Sequence, residues 1–335
     1  MAISPNPVPG NESTSARSFE EARHLYGEER LAEADALLQA LLIAAPDHVP
    51  ALNLRAVIAI RTGRGAEAEA LLRRVIALSP EDFDGHNNLG VLLHRTDRPA
   101  EAELALATAV RLNPQEASAR FNLGFLLQCL GRLDEAEAAY WLAVRLRPDY
   151  AEAHGNLGAV LQATQRPEYA ETAYRLAIKL APTFWQAWDN LGHLLTSGDR
   201  PAEAEAHYRE MLRLRPGFPE SFNNLANVLA RLGRTEEAEG LYRQALAIAP
   251  DQTEALSNLG LLLKEAGRLD EAEALFVRAL AGNPDFANAH VNYGTLLQQK
   301  LRFEDAEAHF RRAAEINPRH AGAHLNRAVI LATFG

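Results

Sequence analysis

Residues 117–150 read ASARFNLGFLLQCLGRLDEAEAAYWLAVRLRPDY, and the pattern returns every 34 residues without an insertion. Leu123-Gly124 recurs as Leu89-Gly90, Leu157-Gly158, Leu191-Gly192, Leu225-Ala226, Leu259-Gly260 and Tyr293-Gly294. An alanine follows twelve residues after the glycine, in a column from Ala34 to Ala306, and a proline closes each repeat from Pro46 to Pro318. A fixed period of this size marks a solenoid of stacked supersecondary units.

Each repeat holds two apolar-periodic segments. In residues 117–130, Leu123, Leu126 and Leu127 share one helical face. Gly131 stops that first helix (helix A), as Gly63, Gly233 and Gly267 do elsewhere. Pro99, Pro167 and Pro201 stand where the first turn of a second helix (helix B) tolerates proline, and the closing proline ends helix B. Glycine inside helix A costs about 1 kcal/mol against alanine. Close approach of helix B onto a helix without Cβ offsets that cost, with Tyr140, Tyr174, Tyr208, Tyr242, Phe276 and Phe310 filling the space beside the alanine column. One helix pair buries too little apolar surface to stand alone, so stability comes from stacking and the ends are special.

These columns resemble the tetratricopeptide repeat, a helix-turn-helix unit of this length. With the Leu of Leu-Gly at position 7, the repeats run 15–48, 49–82, 83–116, 117–150, 151–184, 185–218, 219–252, 253–286 and 287–320, and a half repeat covers 321–335. The resemblance implies an all-α, right-handed superhelix of antiparallel helix pairs, whose A helices line a concave groove that binds proteins. The first repeat has Glu21-Ala22 flanked by Glu20 and Arg23, as a solvated cap would. The other end, LNRAVILATF, offers Leu325, Val329, Ile330, Leu331 and Phe334 with no second helix to cover them. The expectation is a longer polypeptide, or another surface seated there.

Composition fits this reading. The formal charge is −10 with acids and bases interleaved, which disfavours nucleic acid, since phosphate binding wants a basic stripe. No apolar run reaches the roughly 18–20 residues of a membrane span. Residues 1–14 read as a disordered tail without the features of a signal peptide. Cys129 is alone, which points to a reducing cytoplasm.

Position 6 carries the feature most suggestive of function. Asn88, Asn122, Asn156, Asn190, Asn224, Asn258, Asn292 and Asn326 occupy it in eight consecutive repeats, after Glu20 and Leu54 in the first two. Asparagine is a poor helix residue. Its amide offers the acceptor and donors that match a peptide backbone, so a row of them suits an extended polypeptide held without regard to sequence. Two plainer readings stand beside this one: each amide bonds the neighbouring repeat, or duplication copied it. The ladder resembles that of O-GlcNAc transferases and SPINDLY-like glycosyltransferases, which implies contact with target backbone. Their catalytic domain is absent from these residues, so the chain itself is expected to be no enzyme, to hold no cofactor or metal, and at most to recruit substrates.

Neighbouring positions would tune specificity: Asn87, Phe121, Asp189 and Asn223 at position 5; Phe125, His193 and Asn227 at position 9; Gln128, Gln162, Lys264 and Gln298 at position 12. His86, His154, His290 and His324 share position 4 with Trp188, Phe222 and Leu256, which reads as interface packing. His320 and His324 are spaced i,i+4 without a third ligand nearby. Trp141 stands in an outer column of arginines and marks a contact on the convex face, with a homodimer as one expectation and an assembly scaffold as the broader one.

Overall fold

A computed structural model describes residues 11–334, with side chains from 15 to 332. Nineteen α-helices and no strand occur among the described residues. Residues 1–10 of the expected tail lie outside this range, while residues 11–14 are already helical, in α1 (Asn11–Gly27). The Asn-Glu-Ser-Thr run favours a helix start over a tail.

Packing divides the chain into two bodies, residues 1–187 and 188–335. The first is built from α1 and α2 (Leu31–Ala44), α3 (Val49–Arg61) and α4 (Gly65–Leu78), α5 (Phe83–Arg95) and α6 (Pro99–Leu112), α7 (Ala117–Cys129) and α8 (Leu133–Leu146), and α9 (Ala151–Ala163) and α10 (Pro167–Leu180). Helix α11 (Trp185–Ser197) begins before the boundary and runs into the second body. There follow α12 (Pro201–Leu214), α13 (Pro219–Arg231), α14 (Thr235–Ile248), α15 (Thr253–Glu265), α16 (Leu269–Gly282), α17 (Ala287–Gln299), α18 (Phe303–Ile316) and α19 (Ala321–Phe334). Odd-numbered helices are the A helices. The A helices α1, α3, α5, α7 and α9 of the first body and α13, α15 and α17 of the second each pack on the B helix that follows, and α5, α7 and α9 touch in turn, as do α13, α15 and α17.

The alanine column is fully buried from Ala34 to Ala306. Opposite it, the glycine column makes room for a ring. A Cβ on Gly158 would lie 2.7 Å from Tyr174, one on Gly192 2.4 Å from Tyr208, and one on Gly294 2.6 Å from Phe310. These contacts explain why glycine persists inside helices.

The turn from A to B uses the left-handed backbone in all nine repeats. Gly63, Gly131, Gly233 and Gly267 hold φ of 74–80°, and Glu29, Asp97, Gln165, Asp199 and Leu301 hold 54–62° at the same position. A glycine stop was legible in four repeats; the other five adopt the same geometry with a side chain attached, at a cost of roughly 1–2 kcal/mol each.

A column of nine arginines, which the sequence reading passed over, ties repeats together after the first, where Arg30 pairs with Glu28 and Glu33 of its own repeat. Each stands just before helix B. Arg98 grips Glu101 in its own repeat and Glu69 in the preceding one; Arg132 does the same with Glu135 and Glu103, Arg234 with Glu237 and Glu205, and Arg268 with Glu271 and Glu239. Glutamates in the first turn of helix B, such as Glu101 and Glu135, favour the positive end of the helix dipole and share these arginines with glutamates of the preceding repeat.

The ends differ as expected in part. Glu20 and Arg23 are exposed and paired at 3.0 Å. On α19, Leu325, Val329 and Leu331 are exposed, but Ile330 is buried. It corrects the expectation because α19 packs on α17 and α18, and Ile330 lies on the packed side. The Phe334 side chain lies outside the described residues.

Candidate functional site

All eight ladder asparagines are half-buried on the A helices. Three spend their amide donor on the preceding repeat. Asn122 Nδ2 donates to Asn87 Oδ1 at 2.9 Å, Asn258 Nδ2 to Asn223 Oδ1 at 3.0 Å, and Asn292 Nδ2 to Ser257 Oγ at 3.2 Å. Each joins position 6 to position 5 of the repeat before. Asn156 lies near the Tyr140 hydroxyl, whose hydrogen bond goes to Gln128. Asn224 Oδ1 accepts from Asn223 Nδ2 at 3.3 Å. The plainer reading, that the amides serve the neighbouring repeat, thus describes part of the column. The Oδ1 atoms of Asn122, Asn258 and Asn292 accept no hydrogen bond among the described residues, and Asn88, Asn190 and Asn326 show no side-chain hydrogen bond there.

The specificity positions separate into inner and outer residues. Asn223 is buried, at 6% exposure, and so faces its neighbours rather than a ligand. Its place between two helices is what lets it serve Asn258. Phe121 packs on Tyr140 and Tyr150, with centroids 5.8 and 4.9 Å away. Gln128 and Gln162 accept from the Tyr140 and Tyr174 hydroxyls at 2.7 and 2.9 Å, and Asn227 accepts from Tyr242 at 2.5 Å. These polar groups secure the rings that fill the glycine column. Burial pushes the Lys264 ammonium down from its ordinary value, and its Nζ donates to Thr295 Oγ1 at 2.9 Å. Gln298 is half-buried and His193 exposed. Asp189 has a buried Oδ1 without a partner, and burial raises its carboxyl above the usual range.

Phe125 is 42% exposed and meets His94 edge-on at 5.5 Å. Both line a cavity of about 340 Å³ with Arg95, Leu106, Phe121 and Asn122, between α5 and α7. The sequence reading singled out Phe121, Asn122 and Phe125 separately but neither Arg95 nor Leu106.

The position-4 histidines have a role beyond packing. His86, His154, His290 and His324 each place Nε2 2.9 Å from the carbonyl of the closing proline six residues earlier. A proline carbonyl only accepts, so Nε2 carries the proton. His320 Nε2 lies 3.0 Å from Asn288 Oδ1, an amide oxygen of α17. Trp141 is 45% exposed, and its Nε1 donates to Glu137 at 3.3 Å. Arg175, Arg209 and Arg243 make the same i,i+4 contact to Glu171, Glu205 and Glu239. The indole therefore takes the arginine's part in its column. Cys129 is exposed. Among the described residues no helix is long and apolar enough to cross a membrane.

No curated protein matches the chain. Among solved structures it is similar to a chain of the APC/C hetero-tetramer Cut9–Hcn1, with a TM-score of 0.58 and 18% identity over 91% of this chain and 60% of that one. It is also similar to Pseudomonas aeruginosa PilF, with a TM-score of 0.54 and 22% identity over 67% of this chain and 98% of that one. At these identities the likeness shows the fold alone. Tetratricopeptide repeat families match residues 19–83, 61–117 and 87–140, then 151–184 and 186–218, then 218–284 and 263–325. With the columns, the paired helices and these matches along its length, the chain belongs to the tetratricopeptide repeat family and has the fold of a protein-interaction scaffold.

Proposed function

We propose that the chain binds extended segments of other proteins along its A-helix face, with the asparagine ladder holding the ligand's backbone. The observation that carries this reading is the acceptor oxygen left over at Asn122, Asn258 and Asn292 after their donors are spent, together with Asn88, Asn190 and Asn326, whose side chains are unused among the described residues. Half-buried amides with spare capacity, repeated along neighbouring helices, suit a backbone that offers one donor and one acceptor per residue. Repeat folds of this kind are generally non-catalytic, and the ladder asks for no cofactor. A cytoplasmic location belongs to the same proposal and rests on the lone, exposed Cys129.

The test uses peptides selected against the whole chain from a random displayed library. A triple variant, Asn88→Ala, Asn190→Ala and Asn326→Ala, removes only side chains without hydrogen bonds. It is expected to keep its helical circular dichroism and to weaken binding about tenfold or more, roughly 1.4 kcal/mol. Unchanged affinity in a folded variant would sink the proposal.

The ladder also favours a second reading, in which this region recruits substrates for a protein glycosyltransferase encoded with it. Transfer of sugar to captured peptides by the full-length gene product would support it. A gene product without a transferase domain would end it. Self-association through Trp141 is a lesser proposal, which light scattering on Trp141→Arg decides by an unchanged mass.

A further inference from the structure

The cavity between α5 and α7 exists because two columns of the repeat are broken at the same place. The first break is at Leu106. In repeats 4 to 7 the corresponding residue is tyrosine, and Tyr140 shows what the ring does: it lies against Gly124, and its hydroxyl donates to Gln128 with Asn156 nearby. The equivalents of Gln128 and Asn156 around Leu106 are His94 and Asn122, which become two walls of the cavity with no hydroxyl between them. Repeat 2 also has a leucine there, Leu72, but the apolar Ile60 packs beside it in place of a polar residue.

The second break is at Gly63. Arg61 and Arg231 each pair with the acidic residue 32 positions earlier, Glu29 and Asp199, in the left-handed turn of the preceding repeat. Arg95 holds the same position in its repeat, and the residue 32 positions before it is Gly63, which has no side chain. Arg95 is exposed and makes no ion pair among the described residues, while it lines the cavity.

We infer that this cavity takes a tyrosine side chain of the bound polypeptide, with an acidic residue beside that tyrosine meeting Arg95. The inference rests on the proposal that the A-helix face binds extended peptide. The ligand's ring replaces in trans the ring missing at Leu106, edge-on to Phe121 and Phe125. Its hydroxyl stands between His94 and Asn122, whose Oδ1 is free to accept because Nδ2 is committed to Asn87. The ligand's carboxylate supplies the charge that Gly63 lacks. A backbone-holding ladder has no sequence preference of its own, so this pocket gives it an anchor residue.

The experiment is fluorescence anisotropy on the full chain with three labelled Gly-Ser peptides carrying Asp-Tyr, Asp-Ala or Asn-Tyr at the centre. The Asp-Tyr peptide is expected to bind about tenfold or more tighter than Asp-Ala, the scale of burying one ring with two aromatic contacts. Leu106→Tyr, which restores the ring used in four other repeats, should abolish that preference. Arg95→Ala should reduce the preference for Asp-Tyr over Asn-Tyr. Equal or undetectable binding of Asp-Tyr and Asp-Ala to the wild type, or a tyrosine preference surviving in folded Leu106→Tyr, overturns the pocket. If Leu106→Tyr does not fold, Phe125→Ala replaces it, since that ring is exposed, and a retained preference again overturns the inference. The ladder variant separates the two readings. Loss of all three peptides on the ladder variant, with no effect of Leu106→Tyr, leaves the groove and removes the pocket. Full binding by the ladder variant, with the preference lost in Leu106→Tyr, removes the groove and leaves the pocket.

Discussion

His290 on α17 and His309 on α18 face each other through their Nδ1 atoms, 2.8 Å apart. Because His290 Nε2 donates to the Pro284 carbonyl, His290 Nδ1 is the acceptor of the pair in its neutral form, and His309 Nδ1–H donates. Burial, and then the neighbouring His290 ring, lower the His309 pKa from 6.5 to about 4. Asp305 and Arg302 act on it in opposite directions, and Tyr293 lies against the ring at 4.5 Å.

The folded-state pKa of His309 is below the unfolded one, so the unfolded chain binds a proton first as pH falls. Stability contributed by the neutral pair is complete above about pH 6.5 and declines from there towards pH 4. His309→Leu should flatten the fall of melting temperature over that window. Parallel curves for the two proteins would refute the assignment.

Gly192→Ala adds a methyl 2.4 Å from the Tyr208 ring, which is itself buried. Alanine gains about 1 kcal/mol in helix propensity, while overpacking costs about 1–3 kcal/mol. The ring is held between helices, so the net expectation is destabilisation by up to about 2 kcal/mol. Urea denaturation at constant m-value measures it.

Leu301 occupies the left-handed turn at φ 60° with 73% of its surface exposed. Leu301→Gly relieves roughly 1–2 kcal/mol of backbone strain and returns about 0.5–1 kcal/mol in chain entropy. A gain of about 0.5–1 kcal/mol should appear as a raised melting temperature. A loss would mean that the exposed leucine makes packing contacts worth more than the strain.

Asn258→Ala and Asn190→Ala should differ in sign. The first leaves the buried Asn223 oxygen without its donor, at a cost of about 1–2 kcal/mol. The second removes a poor helix former with no bond to lose and should gain a few tenths of a kcal/mol. Equal effects in thermal melts would show that the cross-repeat hydrogen bond carries no energy.

Glu69 and Glu239 are held below the usual carboxylate range. Arg98 and then Arg73 do this for Glu69; Arg243 leads for Glu239, with Arg268 from the next repeat adding to it. Stability from such pairs is present above about pH 4.5 and lost as pH falls through the lowered values. Glu239→Gln should therefore reduce acid sensitivity while costing about 1 kcal/mol or less near neutrality, and high salt should shrink even that.

Much of the fold was legible because the repeat prints each contact many times. Gly124 and Tyr140 stand in columns sixteen residues apart, and a helical glycine that persists opposite an aromatic column implies a close approach. The inter-repeat contacts were harder to see. Asn122 pairs with a residue 35 positions earlier and Arg98 with one 29 positions earlier. Those offsets depend on how one helix pair sits on the next, which periodicity does not specify. The arginine column itself was visible in the sequence, but not the pairing partner of each arginine. Asn223 was misjudged because its side chain turns inward between α13 and α15, a direction that spacing alone does not settle.

The arginine column has a bearing on how such a chain tolerates rearrangement. Excising residues 117–150 would carry Arg166 into the place of Arg132, opposite Glu103, and the seam would close with that clasp remade, although Glu116 would lose Arg147 to Ala181. A cut that is not a whole number of periods would leave cations facing the wrong rung. Whole-period loss or gain is thus the form of length change this architecture absorbs.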